Sequence, residues 1–422
     1  MNLLQVRKVA NAGITLTPEH MPAPGVAEGT STGGGSFVGM RSWLESRFEL
    51  ARHGDHPGLR PMEGLRGFAV FLVFLVHFVT FALPFVPAQS TTVRVASAMG
   101  SIGHAGVDLF FVLSGYLIYG SLIVRQQDFG RFMRRRIERI YPTFITVLLV
   151  YLALSFALPR RSKLPDSVSH AALYVMQNVA LLPGILRIPP IITVSWSLSY
   201  EMLFYLIVPV GIGVFGLRQR SRAWRIGFVV CVAGLLVAYF AVRGGPVRLL
   251  MFMAGILLFE ILAGPTPPVP GSVFAAGLLL LGLLGLLIPP AGPGSLLKVL
   301  ILCVSFLVTC LACLARSATS FGRAFSWTPM RWLGNMSYSY YLIHGLTLQT
   351  LFMALTRWFP KTVLGGAVFW IILLPVFLVT AVPAAILFLY VEKPLSLSPG
   401  GLRTYARVGA QRVRRSDSPS GQ

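Results

Sequence analysis

The sequence predicts an all-α polytopic membrane bundle of about ten transmembrane helices, with both termini in the cytoplasm. Composition is the first reason: 55% of the 422 residues are hydrophobic and only 12% charged, where a soluble domain carries roughly 25% charged residues. Mean hydropathy is +0.72. The second reason is grouping. Apolar residues come in runs of about 18 to 22, enough to cross roughly 30 Å of hydrocarbon as helices. Backbone groups in lipid must pair internally, and no short alternating blocks point to a β-barrel. The third is charge placement. Spans near 67–87, 104–124, 140–158, 195–216, 226–242, 249–263, 272–289, 297–315, 333–356 and 366–390 leave 26 basic residues on the N-terminal side and 10 on the other. That asymmetry puts the N-terminal side inside the cell. It also accounts for the net charge of +22 without nucleic acid, which is not an expected partner; membrane lipids are.

From the N-terminus, residues 1–59 read as an extension. Residues 1–36 are rich in Gly, Ser, Thr and Pro and cannot build a core. No charged segment leads into a short apolar stretch, so a cleavable signal peptide is not expected. Phe37, Met40, Leu44 and Phe48 then recur at helical spacing among Arg and Glu, the pattern of an amphipathic helix on the inner surface. Residues 60–394 form the transmembrane domain and 395–422 a basic cytoplasmic tail.

The first span runs from Glu63 through Arg66 to His77. Eleven residues are close to three helical turns, so Arg66 and His77 share a face roughly 16 Å apart. This puts Arg66 at the inner boundary and His77 near mid-bilayer. Arg66 reads as a snorkelling anchor or a ligand-guiding charge. His77 reads as a proton-handling or nucleophilic group, or as a helix-to-helix hydrogen bonder. In the second span His104 and Asp108 lie four apart and stack, either as an oriented imidazole–carboxylate pair or as a local ion pair. Ser114 and Gly115 follow as small residues that permit close helix approach.

Next comes a dense basic run, Arg131 to Arg139. Topology asks for some of this charge. Arg136 and Arg139, three apart before Pro142, also suit a polyphosphate gripped by two guanidinium forks. The fourth span begins Trp196-Ser-Leu-Ser-Tyr-Glu201, and Ser197, Glu201 and Tyr205 make a polar stripe of period four. The ninth carries Ser337-Tyr-Ser-Tyr-Tyr-Leu-Ile-His344, and the tenth ends at Glu392. Glu260 is a lone carboxylate without an assigned role. Cys231, Cys303, Cys310 and Cys313 all fall in spans; the Cys310-x-x-Cys313 pair lacks a second pair or a His, so these read as packing residues and no metal site is expected.

Five of these motifs, in order, resemble the acyltransferase-3 family of membrane acyltransferases: Arg66-x10-His77, Phe110-Phe111-x-x-Ser114-Gly115, Arg136-x-x-Arg139, Trp196 to Glu201 with Phe204-Tyr205, and Ser337 to His344. The resemblance covers about 60–394. It implies an acyl-coenzyme A donor, commonly acetyl-CoA, on the cytoplasmic side, and transfer to a hydroxyl of a cell-surface glycan, lipid-linked sugar or secreted metabolite. It also implies a bacterial cytoplasmic membrane. On this reading His77, Asp108 and Glu201 are the catalytic candidates, with His77 as general base or acyl carrier and Asp108, through His104, orienting it. Arg66, Arg136, Arg139, His104, Ser114, Trp196, Tyr205 and His344 are the substrate-binding candidates. The competing expectation is a proton-coupled transporter or flippase in which His77, Asp108 and Glu201 form a relay.

Overall fold

Continuous helices are what an apolar chain without internal water must form, and the computed structural model consists of them. It describes residues 35–50, 59–125, 127–288, 294–315, 319–358 and 365–397. The expectations for residues 1–34 and 398–422 lie outside the described residues. In chain order the helices are α1 (Gly35–Phe48), α2 (Leu59–Ala82), α3 (Thr91–Gly103), α4 (Ala105–Val124), α5 (Phe129–Ala157), α6 (Val168–Val179), α7 (Trp196–Val214) and α8 (Arg222–Arg243). They continue as α9 (Leu250–Leu262), α10 (Ser272–Gly285), α11 (Gly294–Leu314), α12 (Ser320–Ala324), α13 (Thr328–Asn335), α14 (Ser337–Trp358) and α15 (Gly366–Leu387), which passes into a π-helical segment at Phe388–Leu397. No β-strand occurs among the described residues.

Among the described residues, seven segments are long and apolar enough to cross a bilayer: Arg60–Phe85, Thr91–Val124, Phe129–Ala157, Thr193–Val214, Arg222–Arg243, Leu296–Leu314 and Gly366–Leu397. The other three expected spans are helices too, as α9, α10 and α14. However, α9 has 13 residues and α10 has 14, roughly 20 Å each at 1.5 Å per residue. α14 has 22 residues, but its first turns are Ser337, Tyr338, Ser339, Tyr340, Tyr341 and His344. Polar groups that serve a site lower the hydropathy that marks a span. Outside the bundle, Leu149, Phe156, Ile207, Val214, Leu235, Val242, Ile371 and Val382 stand exposed, an apolar belt far larger than a soluble surface carries. The chain is a multi-pass membrane protein.

Close approach fixes the centre. A Cβ on Gly115 would sit 2.4 Å from the Phe252 carbonyl oxygen, and one on Gly255 2.1 Å from that of Val112, so α4 and α9 cross backbone to backbone. The small-residue reading of Gly115 therefore holds. α2 packs on α13 in the same way, since a Cβ on Gly67 would meet the Met330 carbonyl at 2.0 Å and one on Gly334 the Glu63 carbonyl at 1.7 Å.

The sequence expectation for α2 needs one correction. The helix starts at Leu59, so Arg66 lies two turns inside it and His77 five residues from its far end. His77 is thus level with the start of α4, where Gly103 abuts Leu72 and Val76. The displacement has a physical cause: Glu63, buried at 5% exposure, is neutralised by Arg331 at 3.1 Å, so a charged first turn enters the bundle where hydropathy alone ends it.

Gly35–Phe48 is helical as α1, docked by its C-terminal end. Phe48 stacks on Phe388 at 5.9 Å, Asn335 donates to its carbonyl at 3.0 Å, and Met40 and Trp43 are left exposed.

Candidate active site

The polar stripes of α4, α5, α7 and α14 converge, with Arg66 of α2, around a cavity of ≈ 170 Å³. Its wall collects Arg66, Arg136, Arg139, Ser114, Glu201 and Tyr205, six of the eleven residues singled out from sequence. They meet because period-four polar positions turn one face of each helix inward.

Within the cavity the arginines are held differently. Arg66 Nη2 donates to Ser337 Oγ at 2.8 Å. Arg139 is locked: its Nη1 contacts Glu392 Oε1 at 2.7 Å, and its guanidinium lies 5.5 Å over the Tyr338 ring. Glu392, fully buried, also accepts from the Ser339 amide at 3.0 Å and hydroxyl at 2.6 Å. Arg139 therefore ties α5 to the π-helical segment after α15 while presenting a face to the cavity. Arg136 rests on the rings of Phe132 and Tyr205, at 5.2 and 5.6 Å, and its buried Nε has no hydrogen-bond partner. A shielded guanidinium donor without an acceptor is a costly arrangement that an incoming anion would relieve.

Glu201 gathers the polar side chains opposite. Ser114 donates to its Oε1 at 3.0 Å, and the Tyr205 hydroxyl donates to the same oxygen. Ser114 is thus more than a small residue at a helix crossing. Higher in the wall, Ser197 and Tyr341 share a hydrogen bond of 2.7 Å, and Tyr341 also donates to the Val194 carbonyl at 3.0 Å.

His77 lies beyond this wall. Its ring centroid is 4.9 Å from that of His344, and His344 in turn is 6.1 Å from the Tyr341 ring that lines the cavity. His344 is fully buried, with Nδ1 2.9 Å from the Tyr340 carbonyl. A carbonyl only accepts, so Nδ1 carries the hydrogen and Nε2 is left with its lone pair. That Nε2 is buried and unpartnered. The group beside His77 is therefore a neutral imidazole of fixed tautomer.

The remaining residues sit past the histidines. His104 is exposed at the joint between α3 and α4. Asp108 is buried at 2% exposure, and its ionic partner is Arg248, 3.7 Å away. The expected route from Asp108 through His104 to His77 is thus replaced by an Asp108–Arg248 pair. Trp196 lies 5.7 Å under the Arg248 guanidinium.

A family model described as an acyltransferase domain, the third of that name, matches residues 61–390. The chain belongs to the acyltransferase-3 family. YrhL of Bacillus subtilis, whose name assigns it provisionally to peptidoglycan O-acetylation, is 29% identical over 395 residues, 83% of this chain and 56% of that protein. The Rhizobium meliloti exopolysaccharide production protein ExoZ is 30% identical over 267 residues, 59% of this chain and 78% of its own. The peptidoglycan O-acetyltransferase OatA of Listeria monocytogenes is 27% identical over 297 residues, 60% and 47% respectively. The chain thus spans about half the length of YrhL and OatA. No solved structure matches it significantly. The transporter reading has no support among these relatives.

For this acyltransferase-3 chain, sequence reasoning missed two things. Arg248 was counted only as a topological charge, because it stands in a short loop outside any motif. His344 was placed among the substrate-binding residues, while the structure sets it against His77. The ordered motif from Ser337 to His344 was the available signal, but spacing along one helix says nothing of the ring it will face on another.

Proposed function

We propose that this chain is an O-acyltransferase of the bacterial cytoplasmic membrane that moves an acetyl group from acetyl-CoA to a hydroxyl of an envelope glycan or a related lipid-linked or secreted sugar. The observation that carries the reading is the cavity with three arginines in its wall, separated by Tyr341 from the paired rings of His77 and the buried His344. OatA is named for peptidoglycan O-acetylation and ExoZ for exopolysaccharide production, which supports a glycan acceptor.

The donor's phosphates bind from the cytosolic end, where Arg136 supplies its open Nε and Arg66 and Arg139 add positive charge. The pantetheine arm follows the cavity toward Tyr341. His77 removes the proton from the acceptor hydroxyl as that oxygen attacks the thioester carbonyl. The carbon–sulfur bond breaks, coenzyme A leaves as a thiolate, and the imidazolium of His77 returns the proton to it. His344, with its hydrogen committed to the Tyr340 carbonyl, packs its ring against that of His77 and limits how that ring can turn.

The test is purified protein in lipid nanodiscs with radiolabelled acetyl-CoA, paired with mass spectrometry of envelope glycans from cells with and without the gene. Acetyl-CoA binding and a gene-dependent O-acetyl ester are expected. Unchanged O-acetylation together with no donor binding would reject the reading.

A further inference from the structure

Past the histidines, on the far side from the arginine-lined cavity, three helix ends bring together a second polar cluster. Residues 108, 248 and 196 meet because α4, α7 and α9 run in parallel there: Phe111 stacks on Phe252 at 4.5 Å, Phe204 on Phe252 at 4.4 Å, and Ser114 reaches Glu201. Their N-terminal ends therefore lie side by side. Arg248 is at the centre, stacked on Trp196 at 5.7 Å and 3.7 Å from Asp108. His104 lies within the electrostatic reach of Arg248, Lys298 and His77.

This pair is poorly satisfied. A separation of 3.7 Å is too long for a charge-assisted hydrogen bond, which closes at roughly 2.7–2.9 Å. Asp108 Oδ1 and Arg248 Nη1 are both shielded and have no hydrogen-bond partner. One is an acceptor lacking a donor; the other is a donor lacking an acceptor. The Arg248 side chain keeps 30% of its surface exposed while that of Asp108 keeps 3%, so the guanidinium is the group that a ligand meets. Charge at this end is one-sided. Arg248, Lys298 and, between α5 and α7, Arg160, Arg161, Lys163 and Arg187 stand against Asp108 and Asp166 as the acids of the same end.

We infer that Arg248, held between Trp196 and Asp108, recognises the acceptor, and that the acceptor is an acidic sugar whose anionic group takes the guanidinium fork while a neighbouring hydroxyl donates to Asp108. A guanidinium pairs with carboxylate in two parallel bonds, and a sugar acid supplies the acceptor and the donor at adjacent positions. Neutral hexose supplies only the hydroxyls. The inference rests on the acyl-transfer reading for its word acceptor, and it adds the substrate class. His104, exposed between this cluster and His77, marks the path along which the bound hydroxyl meets the base.

The experiment uses the full chain in nanodiscs of zwitterionic lipid, with trigalacturonate and maltotriose as probes and acetyl-CoA titrated on the same samples. Trigalacturonate is expected to bind at least ten-fold tighter than maltotriose, with the preference weakening as salt rises. Arg248→Gln should abolish the preference and Arg248→Lys keep part of it, with thermal unfolding confirming that both variants are folded. Equal binding of the two probes by the parent chain, or an undiminished preference in Arg248→Gln, overturns the proposal. Acetyl-CoA binding separates the two readings. If the donor fails to bind while trigalacturonate is still preferred, the acyl-transfer reading falls and acidic-sugar recognition stands.

Discussion

At the end of the bundle where α5 begins, each buried carboxylate is fully engaged, whereas at the opposite end the polar groups are left short of partners. Glu260 accepts from Arg225 Nε at 2.6 Å and Nη2 at 2.9 Å, and from Tyr119 at 2.5 Å. Glu392 is closed by Arg139 and Ser339, and Arg331 joins Glu63 and Glu49 at 3.1 and 3.0 Å. By contrast, Asp108 Oδ1, Arg248 Nη1 and His344 Nε2 have no hydrogen-bond partner. A buried charge costs several kcal/mol unless matched, so the complete pairs act as fasteners, and the incomplete groups are those that a substrate can complete. Arg136 breaks the pattern at the first end, where it lies in the cavity wall, and Trp332 Nε1, Asn335 Oδ1 and Ser396 Oγ are also buried there without a partner.

The sharpest way to break this contrast is His77→Ala. Loss of a general base should lower acetyl transfer by about 10²–10⁴-fold with the unfolding temperature kept, read from the rate with labelled donor. Glu260→Ala should do the opposite. It strands Arg225 and should destabilise the fold by about 3–5 kcal/mol, measured by unfolding in detergent, with a milder loss when Arg225 is removed as well. A smaller effect, about 1–3 kcal/mol from overpacking, is expected of Gly255→Ala, whose new methyl meets the Val112 carbonyl. Its readout is the same melt, and a neutral result would dissolve the backbone crossing of α4 and α9. Smallest is Arg134→Ala. Its pair with Glu138 at 2.9 Å is half exposed, and the loss should stay near 0.3–0.5 kcal/mol.

Much of this was legible in the sequence, and what escaped did so for definite reasons. Ten apolar runs became helices, because run length and composition are local properties. Arg66, Arg136, Arg139, Ser114, Glu201 and Tyr205 were identified from helical spacing, which fixes faces, and the structure gathers them in one wall. Partner choice is different. That Glu260 would meet Arg225, or His344 meet His77, depends on which helices become neighbours, and nothing in the spacing of one helix encodes that. Of the ten expected spans, α9 and α14 differ from the seven long apolar segments because their length or polarity suits an interior position rather than lipid.

The shortness of α9 has a consequence for the bilayer itself. Its roughly 20 Å is anchored at one end by the Glu260 fastener, so it stops some 10 Å short of the far side of a roughly 30 Å hydrocarbon slab. Arg248, at that end, keeps 30% of its side-chain surface exposed. If the proposed acyl transfer holds, the acceptor hydroxyl then has less than the membrane's full half-thickness to travel to His77.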